Sequence, residues 1–218
     1  MPPLAQPRAH SHFTHMVHPS ADPDFTQVHP GLWVWQAYDP AVKTDLFSTA
    51  IAASSGVYLI DPIPLPDADL ETLGQAGPIA GIIVTNANHQ RSAFNYSQRF
   101  GVPIFGHAKA LSTIKPAKPG DLSAIIADLE VVEILGAVAG EIALYQRSDG
   151  GTLIIGDALI NLEAYGFTFL PQKYCLDQKQ MRRSLRNLLP LSLERLLFAH
   201  GTPIVTQAGD RLRTLLQS

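Results

Sequence analysis

The stretch Gly81-Ile82-Ile83-Val84-Thr85-Asn86-Ala87-Asn88-His89-Gln90-Arg91 decides how this chain is read. An apolar, β-branched run opened by glycine and closed by a polar cluster reads as a buried strand. The cluster then sits at the strand's C-terminal end, where layered α/β folds place their ligands. The position is that of an active site. Its residues, however, are amides, one imidazole and one guanidinium, a poor ligand set for a transition metal and one without a nucleophile.

On either side of this stretch the chain reads as short strands and helices. Leu32 to Tyr38, Asp45 to Ala53 and Gly56 to Ile60 are β-rich or small-residue segments separated by Asp39-Pro40 and Ser54-Ser55-Gly56, which predicts a meander. Asp67 to Gln75 is predicted helical and is followed by Gly77-Pro78. Ser92 to Phe100 is a second predicted helix, stopped at Gly101, and Val102 to Phe105 completes a βαβ unit with the strand Ile79 to Thr85. Leu129 to Leu135, Glu141 to Gln146 and Thr152 to Ile155 read as three further strands, the last two joined through Ser148-Asp149-Gly150-Gly151. Helices are expected at Asp177 to Leu189 and Ala208 to Leu216, with a strand at Leu196 to Ala199 between them. Two groups of strands, each followed by helices, imply two packed sheets with helices outside. Trp33 and Trp35 alternate onto one strand face and read as packing.

A length of 218 residues suits one full-sized core, so residues 28–218 are expected to form a single domain. Residues 1–27 are rich in Pro, His, Ser and Asp without periodicity and read as a flexible tail. The tail's His10, His12, His15 and His18 are expected to be incidental composition, because ordering them around a metal would carry an entropic cost. The formal net charge of -3 and a pI near 6.2 leave no basic footprint for nucleic acid. The one tight basic group, Lys179, Arg182, Arg183 and Arg186, reads as the solvated face of a helix. Cys175 is the single cysteine, so no intrachain disulfide forms and a reducing compartment fits; it also lacks a neighbour that would mark it as a nucleophile. No apolar run reaches the ~18 residues of a membrane span, and the N-terminus lacks the apolar core of a signal peptide. A cytoplasmic protein is expected, without nucleic-acid or membrane partners, with a small molecule as its ligand and homo-oligomerisation left open.

Three polar points follow apolar strands: the loop Asn86 to Arg91, Gly156-Asp157 after Leu153-Ile154-Ile155, and His200-Gly201 after Leu197-Phe198-Ala199. If those strands share a sheet edge, the three points meet. Each also has a local reading: Asp157 as a cap, His200 as a hydrogen-bonded histidine beside a turn glycine, Asn86 and Asn88 as turn residues. Their joint order and spacing resemble the metallo-β-lactamase-fold superfamily over roughly Gly31 to Leu216. Active members carry T-H-x-H-x-D-H after a buried strand, G-H-x-x-G before another, then G-D and finally H-G. Here the first motif stands as Thr85-Asn86-Ala87-Asn88-His89-Gln90-Arg91 and the second as Gly136-Ala137-Val138-Ala139-Gly140, while Gly156-Asp157 and His200-Gly201 are intact. Leu59-Ile60-Asp61 resembles the family's early strand ending in aspartate.

The resemblance implies an α+β fold, a four-layer αββα sandwich of two mixed sheets flanked by helices, and the chemistry of a metal-dependent hydrolase. It also implies that most of the family's dinuclear site has been replaced. Asn86 and Asn88 stand for two histidines, Gln90 for the aspartate and Ala137 for a further histidine, which leaves Asp157 and His200. Arg91 takes the place of the loop's last histidine. Two unit charges at ~4 Å interact by about 4 kcal/mol at an effective dielectric of 20, and a dication doubles the repulsion. Arg91 is therefore expected to pair with Asp157 in place of a metal. The first expectation is a member without dinuclear hydrolase activity and without a cofactor. It would bind a small anionic ligand or a partner through Asn86, Asn88, His89, Gln90, Arg91, Asp157 and His200. The alternative is a residual hydrolase with one zinc, manganese or iron ion at Asp157 and His200. His89 falls between the motif positions, either packed away from the site or a third ligand in that alternative.

Overall fold

The computed structural model describes residues 23–125 and 129–217. Asp24–His29 (β1), Leu32–Asp39 (β2), Thr44–Ala53 (β3) and Gly56–Ile60 (β4) pair in sequence order as an antiparallel meander. Ile79–Ile83 (β5) and Ile104–Phe105 (β6) extend the same sheet in parallel. Parallel neighbours need crossovers, and Asp67–Gln75 (α1) and Ala93–Phe100 (α2) supply them. Ala108–Ile114 forms α3.

The second sheet takes Glu130–Glu133 (β7), Ile142–Gln146 (β8) and Thr152–Ile155 (β9) as antiparallel neighbours. Leu159–Leu162 (β10) and Gly166–Phe169 (β11) form a separate hairpin. After Gln178–Leu185 (α4), Arg195–Phe198 (β12) joins the edge of the second sheet parallel to β9, and Ala208–Gln217 (α5) follows. The sheet order is β12-β9-β8-β7.

Side-chain alternation builds the layers. In β4, Tyr58 and Ile60 enter a cluster shared with Ile142 and Leu144 of β8, Ile154 of β9 and Leu197 of β12, so this cluster lies between the sheets. Val57 and Leu59 point the other way, onto Leu70 and Leu73 of α1 and Ala93 and Tyr96 of α2. In the second sheet, Leu153, Ile155, Leu196 and Phe198 face Met181 and Leu185 of α4 and Leu212 and Leu216 of α5. The result is helix, sheet, sheet, helix, as the sequence predicts. Strands buried on both faces lose the apolar and polar alternation, and every residue of β4, β9 and the edge strand β12 is buried, which is why they read as largely apolar runs.

Two contacts bring the strand ends of the two sheets together. Phe47 N donates to Ala199 O at 3.0 Å, and Ile142 N donates to Thr85 O at 2.8 Å. The second places the start of β8 beside the loop after β5.

Three elements were not foreseen. β1 begins at Asp24, inside the stretch read as a tail, and pairs along β2. The tail histidines His10, His12, His15 and His18 lie outside the described residues. α3 and the β10–β11 hairpin are also additional. Among the described residues no helix is long and apolar enough to cross a membrane.

Candidate metal centre

The loops after β4, β5, β9 and β12 converge with the residue before β8 on one buried polar cluster. Asp61, directly after β4, takes a left-handed backbone conformation, φ 47°. Its Oδ1 accepts from Thr85 N at 2.8 Å, and its Oδ2 accepts from Thr85 Oγ1 at 2.6 Å. After β5 the chain turns through a short 3-10 helix at Ala87–His89, capped by Asn86 Oδ1, which accepts from Asn88 N at 2.9 Å. That single turn carries His89 back under the strand end and into the interior, where it is 3% exposed.

His89 lies between two carboxylates. Its Nδ1 is 2.9 Å from Asp61 Oδ2, and its Nε2 is 3.1 Å from Asp157 Oδ1. Asp157, after β9, also meets His200 Nε2 at 3.3 Å through Oδ1, and accepts from Asn86 Nδ2 at 3.1 Å through Oδ2. The same Asn86 amide donates to Glu141 Oε2 at 2.6 Å, and Glu141 Oε1 accepts from Ala158 N at 3.0 Å. A Cβ on Gly156 would stand 2.5 Å from Thr85 Oγ1 and 2.8 Å from Glu141 Oε1, so the network closes only around a glycine there.

The electrostatics follow from this packing. Burial alone would lower the His89 pKa, but Asp157 and Asp61 outweigh it and push the imidazole up to about 10. Burial would raise Asp157, yet His89 and His200 hold it well below the usual carboxylate range. Asp61 is likewise lowered against its burial, by His89 and Arg91. Glu141 is pushed up to about 8 by burial and by the charge of Asp157. His200 is lowered by burial together with the cations Arg91 and His89, against the pull of Asp157. Near neutral pH, then, Asp61 and Asp157 balance His89 and Arg91, while Glu141 keeps its proton.

Arg91 does not pair with Asp157. Its guanidinium donates to the backbone carbonyls of Phe47, Asp61 at 2.9 Å and Ala199 at 3.2 Å, joining β3 to the ends of β4 and β12. The partner expected for Asp157 is instead His89. The reason is local: Arg91 has φ 38°, and its side chain runs to backbone carbonyls, of which Ala199 O also accepts from Phe47 N and Asp61 O from Ser48 Oγ. Of the other loop residues, Asn86 is fully buried in the network, Asn88 is exposed, and Gln90 is half-buried with its carbonyl accepting from Ala93 N. No polar contact from the Asn88 or Gln90 side chain to the cluster occurs among the described residues. Ala137 is buried in the outer core beneath α4.

His89, Asp157 and His200 each offer one donor atom, and the three atoms lie within 4.8 Å of one another. Two imidazole nitrogens and one carboxylate oxygen are a ligand set for zinc or a similar ion. Asp61 behind His89 Nδ1 is the outer carboxylate that metal-bound histidines usually carry. The residues present thus fit one ion. Ala137 offers no ligand atom, the Asn88 amide is a weak donor for zinc, and Arg91 brings a cation to the loop. A model of the metallo-beta-lactamase superfamily matches residues 26–218.

The chain belongs to the metallo-beta-lactamase superfamily.

Solved structures agree on the fold. DIM-1 metallo-beta-lactamase superposes with a TM-score of 0.68 at 14% identity, over 90% of this chain and 98% of that one. A metallo-beta-lactamase from Pontibacter korlensis gives 0.67 at 18% identity, over 90% and 100%. FIM-1 from Pseudomonas aeruginosa in its mono-zinc form gives 0.67 at 11% identity, over 90% and 96%. None of the curated proteins compared matches the chain. Of the residues in this network, Glu141 was missed by sequence reasoning, and Asp61 and Thr85 were quoted only as parts of the family's motifs, without a place among the candidate site residues. Asp61 ends an apolar strand as Asp157 does, and Glu141 is an acid opening the apolar run Ile142 to Tyr145 directly after Gly140. Those were the available signals.

Proposed function

We propose that this member of the superfamily is a single-metal hydrolase, holding one zinc-type divalent ion between His89, Asp157 and His200. The observation that carries the reading is the convergence of those three donor atoms within 4.8 Å, with His89 oriented from behind by Asp61. Bound there, the ion would supply Lewis acidity and a water that ionises near neutral pH.

The chain's own residues set up this chemistry. Asp61 and Thr85 fix the His89 ring so that Nε2 faces Asp157. Asn86 ties Asp157 to Glu141 and keeps both carboxylates turned inward. Arg91 anchors the loop to β3 and to the ends of β4 and β12 without occupying a ligand position. The charge balance also works. A dication with Arg91 offsets Asp61, Asp157 and an ionised Glu141 once His89 gives up its proton. That the fold accepts one ion is supported by the mono-zinc form of FIM-1.

A second reading keeps the cluster free of metal and closed by protons, in a protein that binds a small molecule or partner without hydrolysing it. Its support is that no buried side-chain polar atom lacks a hydrogen-bond partner among the described residues. Metal analysis of the full-length chain and of Asp157→Ala, with hydrolysis assayed on ester, thioester and phosphodiester substrates, separates the two. The single-metal reading expects the wild type to hold about one more equivalent per chain than the variant, a difference to which the tail histidines contribute nothing. It also expects hydrolysis that the variant loses. Equal metal content in the two proteins would leave the proton-closed reading.

A further inference from the structure

On the outside of the second sheet, Lys179, Arg182 and Arg183 of α4 and Arg186 just beyond it recur at the spacing of one helix face. They line a groove of about 480 Å³, closed on its far side by Leu216 and Gln217 at the end of α5. Four of the chain's 16 lysines and arginines gather here although the protein as a whole carries a net charge of -3. The arginine ion pairs that form elsewhere involve Arg99, Arg147 and Arg213. Among the described residues no carboxylate pairs with any of the four groove cations.

Two features make this more than a solvated helix face. Met181 and Leu185 are fully buried beneath α4, so the orientation of the basic face is set by the core. Arg182 lies over the Phe169 ring with its guanidinium carbon 4.4 Å from the centroid, which holds the planar fork in place. The carbonyl end of α5 attracts cations, but a helix terminus carries only about half a charge and does not account for four. Guanidinium forks match phosphate oxygens in pairs. From Lys179 to Arg186 the helix rises by roughly 10 Å, the length of two or three linked phosphates and far short of a polymer track.

We propose that this groove binds a small molecule carrying linked phosphates, of the pyrophosphate or nucleoside diphosphate class, at a site separate from the His89, Asp157 and His200 cluster. Lys179, Arg183 and Arg186 are exposed and meet the phosphates, while Arg182, braced on Phe169, fixes one of them. The groove stands independently of any metal in the cluster.

Titration calorimetry with inorganic pyrophosphate at low ionic strength tests this on the full-length chain, on Arg183→Gln/Arg186→Gln and on Asp157→Asn. Saturable one-to-one binding is expected, weakened at least tenfold in the double variant and by 0.5 M salt, and retained in Asp157→Asn. Both arginines are exposed, so thermal melting of the double variant should match the wild type. Absence of saturable binding, binding that the double variant keeps, or binding lost in Asp157→Asn would overturn the proposal. Capture by phosphatidylserine vesicles without pyrophosphate binding would overturn it too and make the face a membrane contact.

Discussion

Replacing His89 with glutamine should flatten the alkaline pH dependence of stability in the metal-free protein. The imidazole is pushed from an ordinary 6.5 to about 10. A folded-state pKa above the unfolded one means that the native state holds a proton the unfolded chain has released. The stabilisation is complete below pH 6.5 and is lost as pH rises through about 10. The shift of about 3.5 units corresponds to roughly 5 kcal/mol in full, at about 1.4 kcal/mol per unit. Between pH 7 and 9 the wild type should lose up to about 3 kcal/mol from this group alone. Glu141, pushed from 4.5 to about 8, acts with the same sign at lower pH, its share fading as pH passes 8. The window from pH 8 to 9.5 therefore isolates His89. Urea unfolding across that window, in wild type and His89→Gln with chelator present, measures the difference. The wild type should lose about 1 kcal/mol per pH unit more than the variant. Parallel curves for the two proteins would refute the claim that His89 is an imidazolium clamped by Asp61 and Asp157.

Other perturbations test the surrounding parts. Gly156→Ala puts a methyl 2.5 Å from Thr85 Oγ1, and should cost about 1–3 kcal/mol in chemical denaturation along with metal uptake. Arg91→Lys keeps the charge but loses the fork that reaches three carbonyls; a loss of about 1–3 kcal/mol is expected, against near neutrality if the charge alone mattered. Asn161 Nδ2 donates to Thr202 O at 2.7 Å, and Asn161 N donates to His200 O at 3.0 Å, clamping the turn that carries His200. Asn161→Ala should therefore lower stability by only about 1 kcal/mol while weakening zinc affinity several-fold, read by competition with a chromophoric chelator.

The sheets were legible because their strands are short apolar runs punctuated by glycine, proline and aspartate. β1 was hidden by its position: all of its residues are exposed or half-buried, so its sequence, Asp24 to His29, carries no apolar run. In the site, the ends of β5, β9 and β12 were readable as polar residues following buried strands. What those residues do to one another was not. The partner of Arg91 depends on a left-handed backbone at Arg91 and on carbonyls from Phe47 and Ala199, distant in sequence. His89 falls off the motif positions, and only the tight turn capped by Asn86 brings it in between Asp61 and Asp157. Glu141 comes into reach of Asn86 through the contact of Ile142 with Thr85, a pairing between sheets that no local pattern announces.

The central claim is a single ion seated between His89, Asp157 and His200. Anomalous diffraction at the zinc edge, on crystals of the full chain grown with one equivalent of zinc, tests it directly. The account predicts one peak about 2 Å from His89 Nε2, Asp157 Oδ1 and His200 Nε2, with Asp61 still bonded to His89 Nδ1. Zinc found only elsewhere, with His89 still bridging Asp61 and Asp157, would contradict it.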